Sequence, residues 1–334
     1  MRELPIPSFF NENIAGEIWR VPYQERAEDA ISWADERDIS VAARDDLRIC
    51  LMLIDCQNTF CIPDHELFVS GAVEDNIRLC QFIYRNIGNI THIAPTLDTH
   101  TALQIFHPIF WIDGNGNYPA PNTIISKEDV ENGVWRVNPA ISHSLGNNYT
   151  ILQQHGEIYT EKLNDAAKYP LIIWPYHAML GGIGHALVSS VEESLFFHNM
   201  CRTSQTDFRI KGGNPLTENY SIFNPEVRET IGTIAQKNTD FIEKLLNFDV
   251  VIIAGQAKSH CVAWTISDLL DEILAQDRSL VNKVYLLEDC TSPVVIPGVI
   301  DFTDQADEAF ARFRSSGMHV VRSTDNMSDW DGID

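Results

Sequence analysis

DVVIIAGQAKSHCVAWTISDLLDEILAQ, residues 249–276, carries the two patterns that decide the fold. Its first half is a continuous apolar run, VVIIA at 250–254, closed by Gly255. An unbroken apolar run of strand length, rich in β-branched residues, signals a strand covered on both faces, the situation in a parallel sheet flanked by helices. From Cys261 onward, apolar residues recur at three- and four-residue steps, as a helix laying one face on a sheet requires. A cysteine therefore stands where strand gives way to helix. Two readings are open for it: a buried core thiol, the ordinary state of free cysteine, or a nucleophile.

The same alternation extends along the chain. Strand patterns are RICLMLID (48–55), ITHIAPTLD (90–98), LIIW (171–174), FRIK (208–211), KVYLLED (283–289) and HVVRS (319–323). Helical periodicity lies between them at 72–87, 184–199, 233–247, 261–276 and 304–317. Alternating β and α units predict a doubly wound α/β fold with helices on both faces of a parallel sheet. Two regions break the rhythm. Residues 1–45 form an N-terminal extension with one helical pattern at 24–37. Residues 108–169, rich in Asn, Gly and Pro around DGNGNYPAPNT, are too long for plain coil and are expected to be a structured insertion or lid. The α/β unit then spans 46–325, with a tail at 326–334.

Composition narrows the function classes. Hydrophobic residues make up 44% of the 334, enough for a substantial core. Acidic residues outnumber basic ones 47 to 24, a net charge of −23, which disfavours a nucleic-acid partner because phosphate binding needs a basic face. The seven cysteines are scattered and include no Cys-x-x-Cys pair, against a disulfide framework or a structural zinc site. The N-terminal twenty residues lack a signal-peptide core, and no run approaches the roughly 18–20 apolar residues of a membrane span. A cytoplasmic location without membrane or nucleic-acid partners is the expectation.

In an open α/β sheet, ligands bind beyond the carboxyl ends of the strands. Reactive residues gather at those ends: Asp55 closes LMLID, Asp98 closes APTLD with His100 two residues on, Lys211 closes FRIK, His177 follows LIIW, and Cys261 follows DVVIIAG. Each alone has an ordinary structural reading, as a turn cap, a solvated lysine or a core thiol; their joint placement favours a site. A helix N-terminus and a nearby ammonium are expected to lower the Cys261 thiol's pKa, Asp55 to accept its proton, and the backbone N–H groups of Ala257 and Cys261 to form an oxyanion hole. His260 adjoins Cys261 in sequence and is poorly placed to serve it as a base. There is no Gly-x-Ser-x-Gly elbow, phosphate loop or His-Glu-x-x-His helix.

Taken together these segments resemble the isochorismatase-like cysteine hydrolases, in particular the nicotinamidase branch. DCQNTF (55–60), TLDTH (96–100), WPYHAMLGGIG (174–184), IKGG (210–213), GQAKSHCV (255–262) and EDCTSP (288–293) match that family's motifs in order. The resemblance implies a three-layer sandwich around a six-stranded parallel sheet and an Asp55–Lys211–Cys261 triad acting on a small amide through a thioester. It implies a divalent metal, zinc by expectation, on Asp98, His100 and His177, with His107 a candidate fourth ligand. It further implies a substrate ring between Phe60 and Trp174, a cis peptide before Ala257, and a homo-oligomer. Thr59, Thr99, Lys258, Ser259 and the long 108–169 segment depart from the family pattern and bear on substrate choice. The alternative readings are a related amidase acting on an N-carbamoyl or biuret-like compound, and a catalytically silent scaffold on the same fold.

Overall fold

The computed structural model describes residues 1–146, 148–166, 169–230 and 233–333. Residues 147, 167 and 168 of the expected insertion and Asp334 of the tail lie outside them.

Six strands form one all-parallel sheet: β1 (Ile49–Ile54), β2 (His92–Asp98), β3 (Arg209–Lys211), β4 (Val250–Gly255), β5 (Val284–Leu287) and β6 (His319–Val321). Their spatial order is β6-β5-β4-β1-β2-β3. The chain thus winds outward from β1 to one edge, returns to lay β4 beside β1, and winds outward to the other edge. The winding reverses between β1 and β4, and that reversal point is where an open α/β sheet leaves a crevice.

The apolar runs are explained by burial on both faces. In β1, Ile49, Leu51 and Leu53 enter one core, while Cys50, Met52 and Ile54 enter the other. The first core is completed by α1 (Tyr23–Glu36), α2 (Ala72–Arg85) and α4 (Ser189–Arg202). The second is completed by α5 (Thr239–Leu246), α6 (Ala263–Gln276) and α7 (Thr303–Ser316). The N-terminal helix α1 is tied to this frame by a buried Arg26–Glu193 ion pair of 2.7 Å to α4. Strands β1 and β4 approach so closely at their ends that a Cβ on Gly255 (φ +116°) would lie 2.0 Å from the Ile54 carbonyl oxygen. No described helix is long and apolar enough to cross a membrane.

Two expectations are corrected. LIIW is not part of the central sheet: only Leu171–Ile172 is extended, pairing antiparallel with Ile124–Ile125. Its apolar side chains are buried in a third core built largely from 105–174, which includes Phe110, Trp111, Val137 and Leu152. Burial there produces the same apolar signature as burial in the sheet. The helix expected at 233–247 starts only at Thr239, because Thr233–Ile234 pair with Glu229–Thr230 in a short antiparallel ladder. Within the 108–169 region lies α3 (Tyr149–Asp165), capped by the Asn148 side chain accepting from the Ile151 N–H at 2.9 Å.

Candidate active site

The carboxyl ends of β1, β2, β3 and β4 bring Asp55, Asp98, Lys211 and the turn carrying Cys261 together. Asp55 leaves β1 with φ +47°, a left-handed conformation that Asp tolerates and that turns its fully buried carboxylate into the crevice. There Thr96 donates to Asp55 Oδ1 at 2.5 Å. Gln57 clamps the neighbouring strand: its Nε2 donates to the Asp98 carbonyl at 2.8 Å and its Oε1 accepts the Asp98 N–H at 2.7 Å. These paired hydrogen bonds set Asp98 at a fixed height beside Asp55.

Lys211 Nζ lies at the centre, 2.9 Å from Asp55 Oδ2, 3.0 Å from Asp98 Oδ1 and 3.5 Å from Cys261 Sγ, and it donates to the Asn219 carbonyl at 3.0 Å. Burial works against its charge, yet Asp55 and Asp98 outweigh burial and raise its pKa well above the lysine range. For Asp98, burial is overcome by His100 and Lys211, which hold its carboxyl below the usual range. For Asp55, burial wins over Lys211 and the pKa rises.

Cys261 does not open the α-helix directly. It sits in a five-residue π turn, Lys258–Val262, and α6 begins two residues later. The expected low thiol pKa is also corrected. Burial pushes the Cys261 thiol well up, Lys211 opposes this, and Asp55 and Asp98 add to it. A desolvated thiol facing two carboxylates keeps its proton at rest. The peptide between Gln256 and Ala257 is cis, and the Ala257 N–H has no hydrogen-bond partner among the described residues. Lys258 faces away from the cavity, pairing with Asp307 at 2.7 Å and lying over the Phe310 ring, so it tethers the turn to α7. Ser259 Oγ accepts the Val294 N–H at 3.0 Å and lies 2.8 Å from His260 Nδ1.

Asp98, His100 and His177, all buried, each offer a ligand atom within 4.8 Å of the others. The donor set fits a divalent ion. His100 and His177 donate from Nδ1 to the Gly212 and Pro175 carbonyls at 3.3 and 2.7 Å, which leaves Nε2 of each directed toward Asp98 Oδ2 at 2.9 and 3.9 Å. Backbone partners on the outer nitrogen are the usual way a ligating imidazole is aimed. A Cβ on Gly212 (φ +80°) would lie 2.6 Å from the His100 ring, so only glycine leaves this cradle open. His107 is buried against His100 and His177, its Nδ1 bonded to the Ala102 carbonyl and its Nε2 unpartnered among the described residues.

A cavity of about 350 Å³ opens above these groups. Phe60, Trp174, His177, Ala257 and Cys261 line it, so the candidate nucleophile, a member of the candidate metal group and both expected aromatic walls share one space. Similar solved structures share this architecture. The nicotinamidase/pyrazinamidase of Acinetobacter baumanii aligns over 84% of this chain and 99% of its own at 17% identity, with a TM-score of 0.51. The yeast nicotinamidase aligns over 82% and 99% at 19% identity, with a TM-score of 0.53. The fold is the nicotinamidase fold. In sequence the chain matches no family model and no curated protein.

On this nicotinamidase fold the cavity also holds groups that no sequence pattern singled out. Glu218, buried, accepts from Tyr159 of α3 at 3.2 Å and from Tyr220 at 3.0 Å, and Tyr220 accepts in turn from the Trp174 indole at 3.2 Å. The loop after β3 supplies Glu218 and Tyr220, and loop residues carry no periodicity that could have marked them. Gln57 and Thr96 were given no role either, although they lie inside the DCQNTF and TLDTH motifs.

Proposed function

We propose that the protein is a cysteine amidohydrolase of the nicotinamidase type, releasing ammonia from a small amide. The observation that carries this reading is Lys211 Nζ in simultaneous contact with Asp55, Asp98 and Cys261 Sγ beneath the cavity. Cys261 attacks the amide carbonyl as its thiol proton passes to Asp55. The Ala257 and Cys261 N–H groups receive the developing oxyanion. Asp55 returns the proton to the departing nitrogen, ammonia leaves, and a thioester remains on Cys261. Asp55 then takes a proton from water as it attacks the thioester, and gives it back to the thiol as the carboxylic acid departs. Lys211 holds the two carboxylates in register and balances their charge throughout. Phe60 and Trp174 sandwich the acyl part.

Asp98, His100 and His177, with His107 as a fourth candidate, would hold a divalent ion, and two or three imidazoles with one carboxylate suit zinc. Such an ion supplies Lewis acidity beside the acyl group. The test is ammonia release from nicotinamide and a panel of small amides by the metal-loaded wild type and by Cys261→Ala. Release by the wild type alone supports the reading. No release from any amide sinks it, and release that survives Cys261→Ala sinks the nucleophile.

A further inference from the structure

The cavity's lining is charged in one sense only. It includes the acidic residues Glu66, Asp98 and Glu218 and no lysine or arginine. Asp98 is balanced by Lys211 beneath it. Glu218 has no such partner: its two oxygens meet the hydroxyls of Tyr159 and Tyr220, and among the described residues no basic side chain pairs with it. Burial first, and then the nearby Glu226 carboxylate, push its pKa up to about 8, against hydrogen bonds from Tyr220, Tyr159 and Trp174. A carboxyl in this condition is neutral at rest, and a positive group entering the cavity is what would let it ionise.

Its neighbours suit a cation. Trp174 and Tyr220, chained to Glu218 by hydrogen bonds, line the same space. His260 also lines it, 4% exposed, with its ring against Trp174 and Tyr220 and its Nε2 unpartnered among the described residues. Burial lowers the His260 pKa to about 3, so the ring is neutral and repels no positive charge. Aromatic walls with one buried carboxylate are the usual recognition chemistry for ammonium and related groups. The chain's net charge of −23 favours the approach of cations to the protein as a whole.

We infer that Glu218, Trp174, Tyr220 and His260 form a cation-binding subsite, and that the substrate is a small amide whose acyl part carries a basic or quaternary nitrogen. The inference rests on the amidase reading for the word substrate, but the subsite itself is a binding claim. In this subsite Glu218 releases its proton to solvent as the cation binds, its oxygens facing the ligand's positive nitrogen while the two tyrosine hydroxyls continue to donate to it. The scissile carbonyl lies against Cys261 and Ala257, which line the same cavity. Glu218 is a specificity residue here and takes no part in bond breaking.

The experiment separates binding from turnover. Primary amides bearing an ammonium at graded distances from the carbonyl, each paired with its hydroxyl isostere, are titrated calorimetrically into the Cys261→Ala protein, with and without Glu218→Gln. The same pairs are assayed for ammonia release by the wild type. At least one ammonium amide is expected to bind about ten- to a hundred-fold more tightly than its isostere, and Glu218→Gln to remove that preference while changing isostere binding less than about threefold. Equal or tighter binding of every isostere overturns the subsite, as does failure of both series to bind. Because the ammonium-against-hydroxyl comparison is made without touching Glu218, it stands even if the Glu218→Gln variant does not fold. Ammonium preference in binding with no ammonia release from any amide keeps the subsite and sinks the amidase reading. Release without charge preference does the reverse.

Discussion

Replacing Glu218 with glutamine removes one buried ionisable group and keeps its shape. The ordinary carboxyl value is 4.5, and burial with Glu226 moves it to about 8 in the folded chain. Between those values the folded protein holds a proton that the unfolded chain has already released. Unfolding therefore sheds a proton, and stability falls as pH rises through this window. Below the ordinary value both states are protonated and the loss is absent; above the folded value it is complete. Each pH unit is worth about 1.4 kcal/mol, so the full window sets an upper bound of about 5 kcal/mol, and relaxation around the ionised group brings the expected loss to about 2–5 kcal/mol. The amide introduced by Glu218→Gln cannot accept from both tyrosines as well as a carboxyl group does, which costs about 1 kcal/mol wherever the comparison is made. The variant should thus be slightly less stable than wild type near about pH 5 and more stable near about pH 8. Urea unfolding of both proteins across that range reads the difference directly. Other shifted groups, such as Asp75, Glu193 and His92, are present in both proteins and cancel in the subtraction. Parallel stability profiles for the two proteins would mean that Glu218 titrates as an exposed carboxyl, and its assignment as a buried, protonated group would fall.

Two further outcomes follow from the centre of the site. Lys211→Met strands Asp55 and Asp98 in a buried crevice without their shared cation, and should cost about 3–5 kcal/mol in urea unfolding of metal-free protein; a variant as stable as wild type would show that the two carboxylates are not charged together. His177→Ala removes one of three convergent ligands, so divalent metal retained after desalting, read by elemental analysis, should fall about ten-fold or more while the fold persists; undiminished metal content would place the ion elsewhere.

The sheet was legible because burial writes directly into composition: VVIIA and ICLMLI are apolar at every position, and each alternates between two cores. Asp55, Asp98 and Lys211 group together in the sequence itself because strand ends are where such a sheet opens. LIIW misled because an apolar run reports burial and not the partner; its partner is Ile124–Ile125, inside a segment with no readable period. The thiol misled for a related reason. Its position ahead of a helix is visible in sequence, but the enclosure that raises its pKa comes from side chains distant in the chain. Glu218 was invisible because its character comes from Tyr159, about sixty residues earlier, and from an aromatic wall supplied by Trp174. Lys258 and Ser259 stood out as departures from the family pattern, yet they anchor the turn carrying Cys261 to α7 and to Val294 and leave the lining of the cavity to their neighbours.

The reaction proposed for the site turns on covalent catalysis by Cys261. Acid-quenched mixtures of the metal-loaded wild type with nicotinamide and with the ammonium amides, analysed by intact-mass and peptide mass spectrometry, put that step to the test. Covalent catalysis requires an added acyl mass on the peptide containing Cys261, lost on treatment with hydroxylamine and absent in Cys261→Ala. Ammonia release with no acyl adduct on Cys261, continuing at an undiminished rate in Cys261→Ala, would contradict it.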